Sequence, residues 1–406
     1  MMEEEEKDTY RSVDTDTDED EDTYIKRRVT ELINDSIDPS ELITHISNKR
    51  KHDIKTLSLF LRDSSNPTEE ATNLVDKVFE EHGIKDLTME NVDNVINDIV
   101  DNITKYMMVA LEYGVKKTRG NPVGIIGIGC PGSGKTLPQL ISMALMLSAD
   151  NPRRLEPLKD ALETFYNIIP KKVTKTMVKN VSKSNELINT KIKPYDSVNT
   201  DLNVVNDRYT MNKLTSMNTL KTRLERYLNR FGYIIIDQDD IIPYIFNLNE
   251  YRVLVYDLTE LLFEIALEKH MNIIYASTGR DPNQIKQTYR YFKKSDYASV
   301  KLSIMCTPVE ICEKQIKERF LDAYKNFEIG RYVPNSFLIP ACKQITSLIP
   351  SYSTSKKIPS YVYTREPEEP DETTHMSSKG GRRKRFRKSK HLKKRRSGKS
   401  THKKRY

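Results

Sequence analysis

The clearest periodic stretch is TMENVDNVINDIVDNITKYMMVAL, which starts at Thr88. Val92, Val95, Ile96, Ile99, Ile103, Met107 and Ala110 return at the i, i+3, i+4, i+7 spacing of one buried helical face. Thr88 is expected to cap this helix, with Glu90 in its first turn, where the helix dipole favours a negative charge. The pattern from about Thr23 to Val115 is helical throughout. An apolar stripe needs a covering partner, so residues 23–117 read as a helical N-terminal region packed on the next part of the chain.

At Pro122 the pattern changes. PVGIIGIG (Pro122–Gly129) is a short apolar run that reads as a buried strand. LPQLISMALMLSA then reads as a helix, with Pro138 in its first turn, where proline is tolerated. YIIID (Tyr233–Asp237), MNIIYAS (Met271–Ser277) and SVKLSIMC (Ser299–Cys306) are further strands. LTELLFEIALEKH is an amphipathic helix. After the last strand, Thr307, Pro308 and Glu310 form a capping-box pattern. Its helix is expected to run to about Phe327 and to bury Cys312, Ile316, Phe320 and Ala323. Strands that alternate with helices imply βαβ units and an α/β fold with a mainly parallel sheet. In such sheets ligands bind beyond the carboxyl ends of the strands.

Other segments lack this order. Residues 150–230 are rich in Lys, Asn, Thr and Ser and read as an insertion, with one credible helix where Leu220, Leu224, Leu228 and Phe231 recur. Residues 340–378 gain Pro, Ser and Glu and read as a linker. The formal net charge of +8 hides two opposed ends. Residues 1–22 carry 12 acidic against 2 basic residues, an acidic segment expected to be disordered. Residues 379–406 carry 16 Lys/Arg and no acid. That basic tail is expected to be disordered and to bind nucleic acid without sequence preference, since only Phe386 and Tyr406 could stack on bases. No run reaches the ~18 apolar residues of a membrane span. The start MMEEEEKD lacks the apolar core of a secretory signal. The four cysteines form no C-x-x-C pair, so neither a disulfide framework nor a zinc site is suggested. These features point to an intracellular, reduced protein of the cytoplasm or nucleus.

Chemistry concentrates at three places. Gly129, Cys130, Pro131, Gly132, Ser133, Gly134, Lys135 and Thr136 fit G-x-x-x-x-G-K-[ST] at every fixed position. The glycines let backbone N–H groups turn inward on an anion, and the following helix adds its dipole. Lys135 is placed to reach the β/γ-phosphates of a bound nucleotide, and the Thr136 hydroxyl to ligate Mg²⁺. The strand-end acids Asp237, Asp239 and Asp240 come next. Phosphoryl transfer needs one carboxylate to orient the attacking hydroxyl and take its proton, while another can hold Mg²⁺, here Asp237. D-x-D on extended backbone would put two acids on one side. Third come Arg319 on the capped helix and Arg331 after Gly330, the residue type that clamps a transferring phosphoryl group.

Taken in order, GCPGSGKT, IIIDQD, NIIYASTGR, ERF and GRYVP resemble the zeta-toxin family of P-loop kinases over about Gly124–Val333. The resemblance implies a three-layer, kinase-type P-loop NTPase domain over 118–339, interrupted by the insertion. It also implies ATP, Mg²⁺ and a small-molecule acceptor, which is UDP-N-acetylglucosamine in the bacterial toxins. By position it makes Asp239 the general base, Lys135, Arg319 and Arg331 the phosphate-binding cations, and Thr278 and Arg280 substrate-side residues. The family's sugar-binding glutamate is replaced by Ala276. The cradle and the Asp239–Asp240 pair also resemble phage-type polynucleotide 5′-hydroxyl kinases, which again select Asp239 as base. A non-catalytic ATP-binding protein associated with nucleic acid or a virion is the third reading. The Lys/Asn/Ile-rich composition and the tail resemble those of large DNA-virus proteins. No antitoxin-like partner is identified.

Overall fold

The structure is a computed structural model. It describes residues 19–62, 64–115, 120–149, 151–158, 162, 217–353, 358 and 360–364. The expectations for residues 1–18, for most of the insertion, for 365–378 and for the basic tail lie outside the described residues.

Four helices open the fold: α1 (Glu21–Ser36), α2 (Pro39–Phe60), α3 (Pro67–Glu81) and α4 (Val92–Gly114). The Asp20 carboxylate caps α1 by accepting the Thr23 N–H at 3.0 Å. Asp38 caps α2 through Ser40 and Glu41, with Pro39 at the first helical position. Glu19 pairs with Arg27 at 3.0 Å. Residues 19–22 therefore belong to the fold, and the acidic segment's expected boundary at 22 is too late. On α4 the expected stripe is buried at Val92, Val95, Ile99, Ile103 and Met107, with Leu111 added. Ile96 and Ala110 lie half-buried at its margin. Thr88 does not cap α4. Its N–H donates to the Asn91 side chain at 2.7 Å, and that local turn delays the helix to Val92.

Among the described residues the sheet has five strands: β1 (Val123–Gly129), β2 (Ile234–Ile236), β3 (Ile273–Ser277), β4 (Ser299–Cys306) and β5 (Ser360–Thr364). All pairings are parallel and the order is β2-β3-β1-β4-β5. β1 is buried along its whole length, as a central strand covered on both faces must be. Two glycines of β1 show that both faces are covered. A Cβ on Gly127 would meet Gln139 of α5 (Thr136–Leu147), and one on Gly124 would meet Phe292 of α9 (Pro282–Lys294). Residues 124 and 127 point to opposite faces of a strand. The sheet thus lies between helical layers, the α/β P-loop NTPase-like architecture. The buried Asn272 ties the strand starts together. Its side chain accepts the Val123 N–H and donates to the Gly232 carbonyl, and its own carbonyl accepts the Ile234 N–H.

Among the described residues the remaining α-helices are α6 (Met217–Leu228), α7 (Gln238–Ile241), α8 (Arg252–Glu268), α10 (Val309–Lys325) and α11 (Asn335–Ser353). The helix expected at the end of the insertion is α6, and Leu220, Leu224, Leu228 and Phe231 are buried. The linker expectation for 340–378 fails over its first part: 340–353 complete α11, and 360–364 form the edge strand β5. Pro340 and Pro350 within α11 hid it, because internal proline argues against helix. In β5, Tyr361 and Tyr363 are buried, and Lys301 Nζ donates to the Tyr361 hydroxyl. α10 also begins differently from the expected capping box. Pro308 stands at the cap without a side-chain bond. Thr307 instead donates its hydroxyl to the Ser133 carbonyl at 2.9 Å. Tyr324, rather than Ala323, ends the buried face of α10. One continuous hydrophobic core joins α1–α4 to the sheet. Among the described residues no helix is long and apolar enough to cross a membrane.

Candidate functional site

The cradle turns between β1 and α5. The Ser133 N–H returns to the Cys130 carbonyl at 3.0 Å, and Gly132 and Gly134 adopt φ of +72° and +77°. That region suits glycine alone without strain. At Gly132 a side chain is doubly excluded, since its Cβ would lie 2.6 Å from the Cys312 carbonyl oxygen of α10. The loop is fixed from outside by this contact and by the Thr307 bond. The Ser133 hydroxyl is buried and without a hydrogen-bond partner.

Lys135 points from the cradle to the end of β2. Its Nζ lies 3.2 Å from Asp237 Oδ2 and 3.8 Å from Asp239 Oδ2. The two acids do not converge by strand alternation as expected. Asp237 ends the extended segment and caps the short α7 by accepting the Asp239 N–H at 3.1 Å. The tight turn brings Asp239 round to the same lysine. Burial works against the Lys135 ammonium, but Asp237 and Asp239 outweigh it and hold its pKa above the ordinary lysine value. For Asp237, burial reinforced by Asp239 outweighs Lys135 and keeps the carboxyl high. For Asp239, Lys135 and Arg331 together overcome desolvation and hold the carboxyl below its usual range. Asp240 is pushed up to about 7 by desolvation and by its two acidic neighbours.

Arg331 donates to Asp239 through Nη1, and its Nε is buried without a partner. Arg319 reaches the same cleft from α10. The structure therefore brings together Lys135, Asp237, Asp239, Arg319 and Arg331, which come from four separate segments. The cleft has a volume of about 1150 Å³, and Pro131, Gly132, Thr278 and Arg280 also line it. Thr136 begins α5 and stands outside this lining, as do Gly129, Cys130, Ser133 and Gly134. The Cys130 thiol turns away from the cleft to Cys312 and Cys342. Hydrogen bonding to those two thiols, with burial, pushes its pKa up.

Sequence reasoning missed two residues of the cleft lining, Arg252 and Phe337, which stand beside the expected Arg280. Arg252 and Arg280 lie over the Phe337 ring at 5.2 and 5.0 Å. Arg280 Nε donates to Gln344 at 3.2 Å. Burial and repulsion from Arg331 and Arg280 lower the pKa of Arg252, the mark of three neighbouring guanidinium groups. No short motif marks Arg252 or Phe337. Asn247, with φ of +57°, could have been flagged as a turn residue. Its side chain donates to the Ile329 carbonyl at 2.6 Å. The carboxylates Asp237 and Asp239 are oxygen donors of the kind that suits a hard divalent cation. Among the described residues, no group of three or more His, Cys, Asp or Glu side chains could hold a metal ion by itself. Such a cation would depend on other oxygens, as Mg²⁺ does when it rides on nucleotide phosphates.

Residues 219–369 match the family model described as zeta toxin. The match spans α6 to β5 and contains Asp237, Asp239, Thr278, Arg280, Arg319 and Arg331; the cradle lies upstream of it. No curated protein matches the chain. The chain thus carries a zeta-toxin-type segment on a P-loop NTPase-like sheet, which supports a kinase-like activity and the use of a nucleotide.

Proposed function

We propose that this protein is an ATP- and Mg²⁺-dependent kinase of the zeta-toxin type that phosphorylates a hydroxyl of a small molecule. The observation that carries this reading is the meeting of Lys135, Asp239 and Arg331 at the carboxyl ends of β1 and β2. Here the two cations are neutralised by the acids. Nucleotide phosphates compete for the same cations and release Asp239 to act on an acceptor. The acceptor oxygen then bonds to the γ-phosphorus as the bond to the β-phosphate oxygen breaks. Asp239 takes the hydroxyl proton, ADP leaves, and Lys135, Arg319 and Arg331 offset the charge on the transferring group. Mg²⁺, where bound, neutralises phosphate charge, and Thr136 and Asp237 are the residues that would hold it.

Thr278 and Arg280 line the same cleft as Arg252 and Phe337, and on this reading they serve the acceptor. Guanidinium groups suit an acceptor that also carries an anionic group. Nucleotide sugars are the first class to test, although Ala276 stands where the bacterial toxins have a glutamate. The adjacent acids Asp239 and Asp240 and the 16 basic residues of the tail favour a second reading, a polynucleotide 5′-hydroxyl kinase.

Labelled ATP offered with UDP-sugars and with 5′-hydroxyl oligonucleotides separates the two. ATP that binds and is transferred to neither, nor to a broader set of small hydroxyl compounds, would leave the non-catalytic reading standing. Asp239→Ala is expected to lower transfer by ~10²-fold or more while the fold is kept. Transfer at the wild-type rate would remove Asp239 from the mechanism.

A further inference from the structure

We propose that the N-terminal helical region is part of the transfer site, and that Lys49 of α2 is a positioning residue for Arg331. This rests on the reading of Arg331 as a phosphate-binding residue.

Arg331 stands on a segment between α10 and α11 that is neither helix nor strand. Such a segment cannot fix a side chain by its own hydrogen-bond ladder. Three of its carbonyls are instead held by side chains from elsewhere. His82 Nε2 lies 3.3 Å from the Phe327 carbonyl oxygen. Asn247 Nδ2 donates to Ile329 at 2.6 Å, and Lys49 Nζ donates to Gly330 at 3.0 Å. The last contact matters most. The Gly330 carbonyl and the Arg331 nitrogen belong to one planar peptide unit. Fixing the carbonyl therefore fixes the plane from which Arg331 projects.

Lys49 is itself held. Its ammonium lies 2.7 Å from Asp53 Oδ2, one turn along α2. Asp53 is 1% exposed, accepts the Tyr324 hydroxyl of α10 as well, and has His52 Nδ1 at 3.3 Å. The same helix grips the other side of Arg331. Tyr332 packs edge-on against Phe60 at 5.4 Å and Phe320 at 5.7 Å. Gly330 is pressed to α10 so closely that a Cβ would lie 2.8 Å from the Phe320 ring. Arg331 thus leaves the chain between two residues clamped by α2 and α10, and it ends on Asp239. A buried ion pair adds little net stability. Its value here is the position it gives the peptide.

A misplacement of about 1 Å can cost up to ~10²-fold in rate. Lys49→Met in the full-length chain is expected to lower ATP turnover by ~10-fold or more, with acceptor KM nearly unchanged. Lys49→Arg, which keeps a charged donor, restores most of the loss. The preference for ATP over ADP, read with fluorescent analogues of each, is expected to fall in Lys49→Met and in Arg331→Ala. In the double variant it falls no further. Equal, additive losses in both backgrounds, or a wild-type preference in Lys49→Met, would overturn the proposal. Melting temperatures are followed alongside. If Lys49→Met does not fold, Asp53→Asn, which leaves the lysine unanchored, is read by the same double-variant comparison. Coupling of Lys49 to Arg331 in nucleotide preference, in a protein that turns over no ATP, would keep the positioning role and end the kinase reading.

Discussion

At the scale of single residues, the site is built from groups whose ionisation is set by their neighbours. Glu260 shows the effect outside the cleft. Burial pushes its carboxyl up to about 7, against the opposing hydrogen bond from the Tyr275 hydroxyl. A carboxyl raised in the folded state adds stability below its unfolded value near 4.5, and that contribution is lost as pH rises through about 7. Glu260→Gln keeps an acceptor for Tyr275 but does not ionise. Its melting temperature is expected to exceed that of the wild type above pH 7, with the gap closing between pH 7 and 4.5. A gap that stays constant with pH would show that Glu260 is not raised by burial. The residues legible in the sequence were those whose chemistry is local. Lys135 and Asp239 announce themselves through glycine spacing and a strand ending in acid. Arg252, Phe337 and Lys49 do not, because each acquires its role only from a partner distant in the chain.

At the scale of elements, the periodic segments were readable, down to both ends of β4, and the helix caps were not. The four buried strands β1–β4 and the stripe of α4 follow from period and branching alone. Caps depend on which hydrogen bond wins locally, and here tertiary partners won. Thr307 looked like the cap of α10 but reaches across to the cradle. Thr307→Val removes that bond and leaves the Ser133 carbonyl without its donor, at a cost of about 1 kcal/mol. ATP affinity is expected to weaken several-fold in Thr307→Val and to recover in Thr307→Ser, as read by titration with a fluorescent nucleotide. Affinity unchanged in Thr307→Val would mean that the cradle keeps its shape without help from α10. The D-x-D turn teaches the same lesson. Both acids reach Lys135, but through a capped turn that strand alternation does not contain.

At the scale of the whole molecule, the sequence concentrates its charge at its two ends, acidic over residues 1–22 and basic over 379–406. Deletion of Lys379–Tyr406 is expected to leave ATP turnover on a small acceptor unchanged. If the tail binds nucleic acid as its charge proposes, the intact chain is expected to bind DNA with a steep salt dependence and the deletion to remove that binding. DNA binding that survives the deletion, with its salt dependence intact, would place the contact surface on the body instead. The parallel sheet has a further consequence. β1 lies between β3 and β4, and the buried hydrogen bond at its start, from the Val123 N–H to the Asn272 side chain, spans 149 positions. The glycine loop after β1 is likewise held by contacts from far along the chain, from Thr307 and from the Cys312 carbonyl beside Gly132. On the ribosome, the cradle would emerge early and remain without a frame until β3, β4 and Arg331 had been made. A chain released early would carry the loop's letters without the residues that complete the cleft, so the candidate site would be complete only late in synthesis.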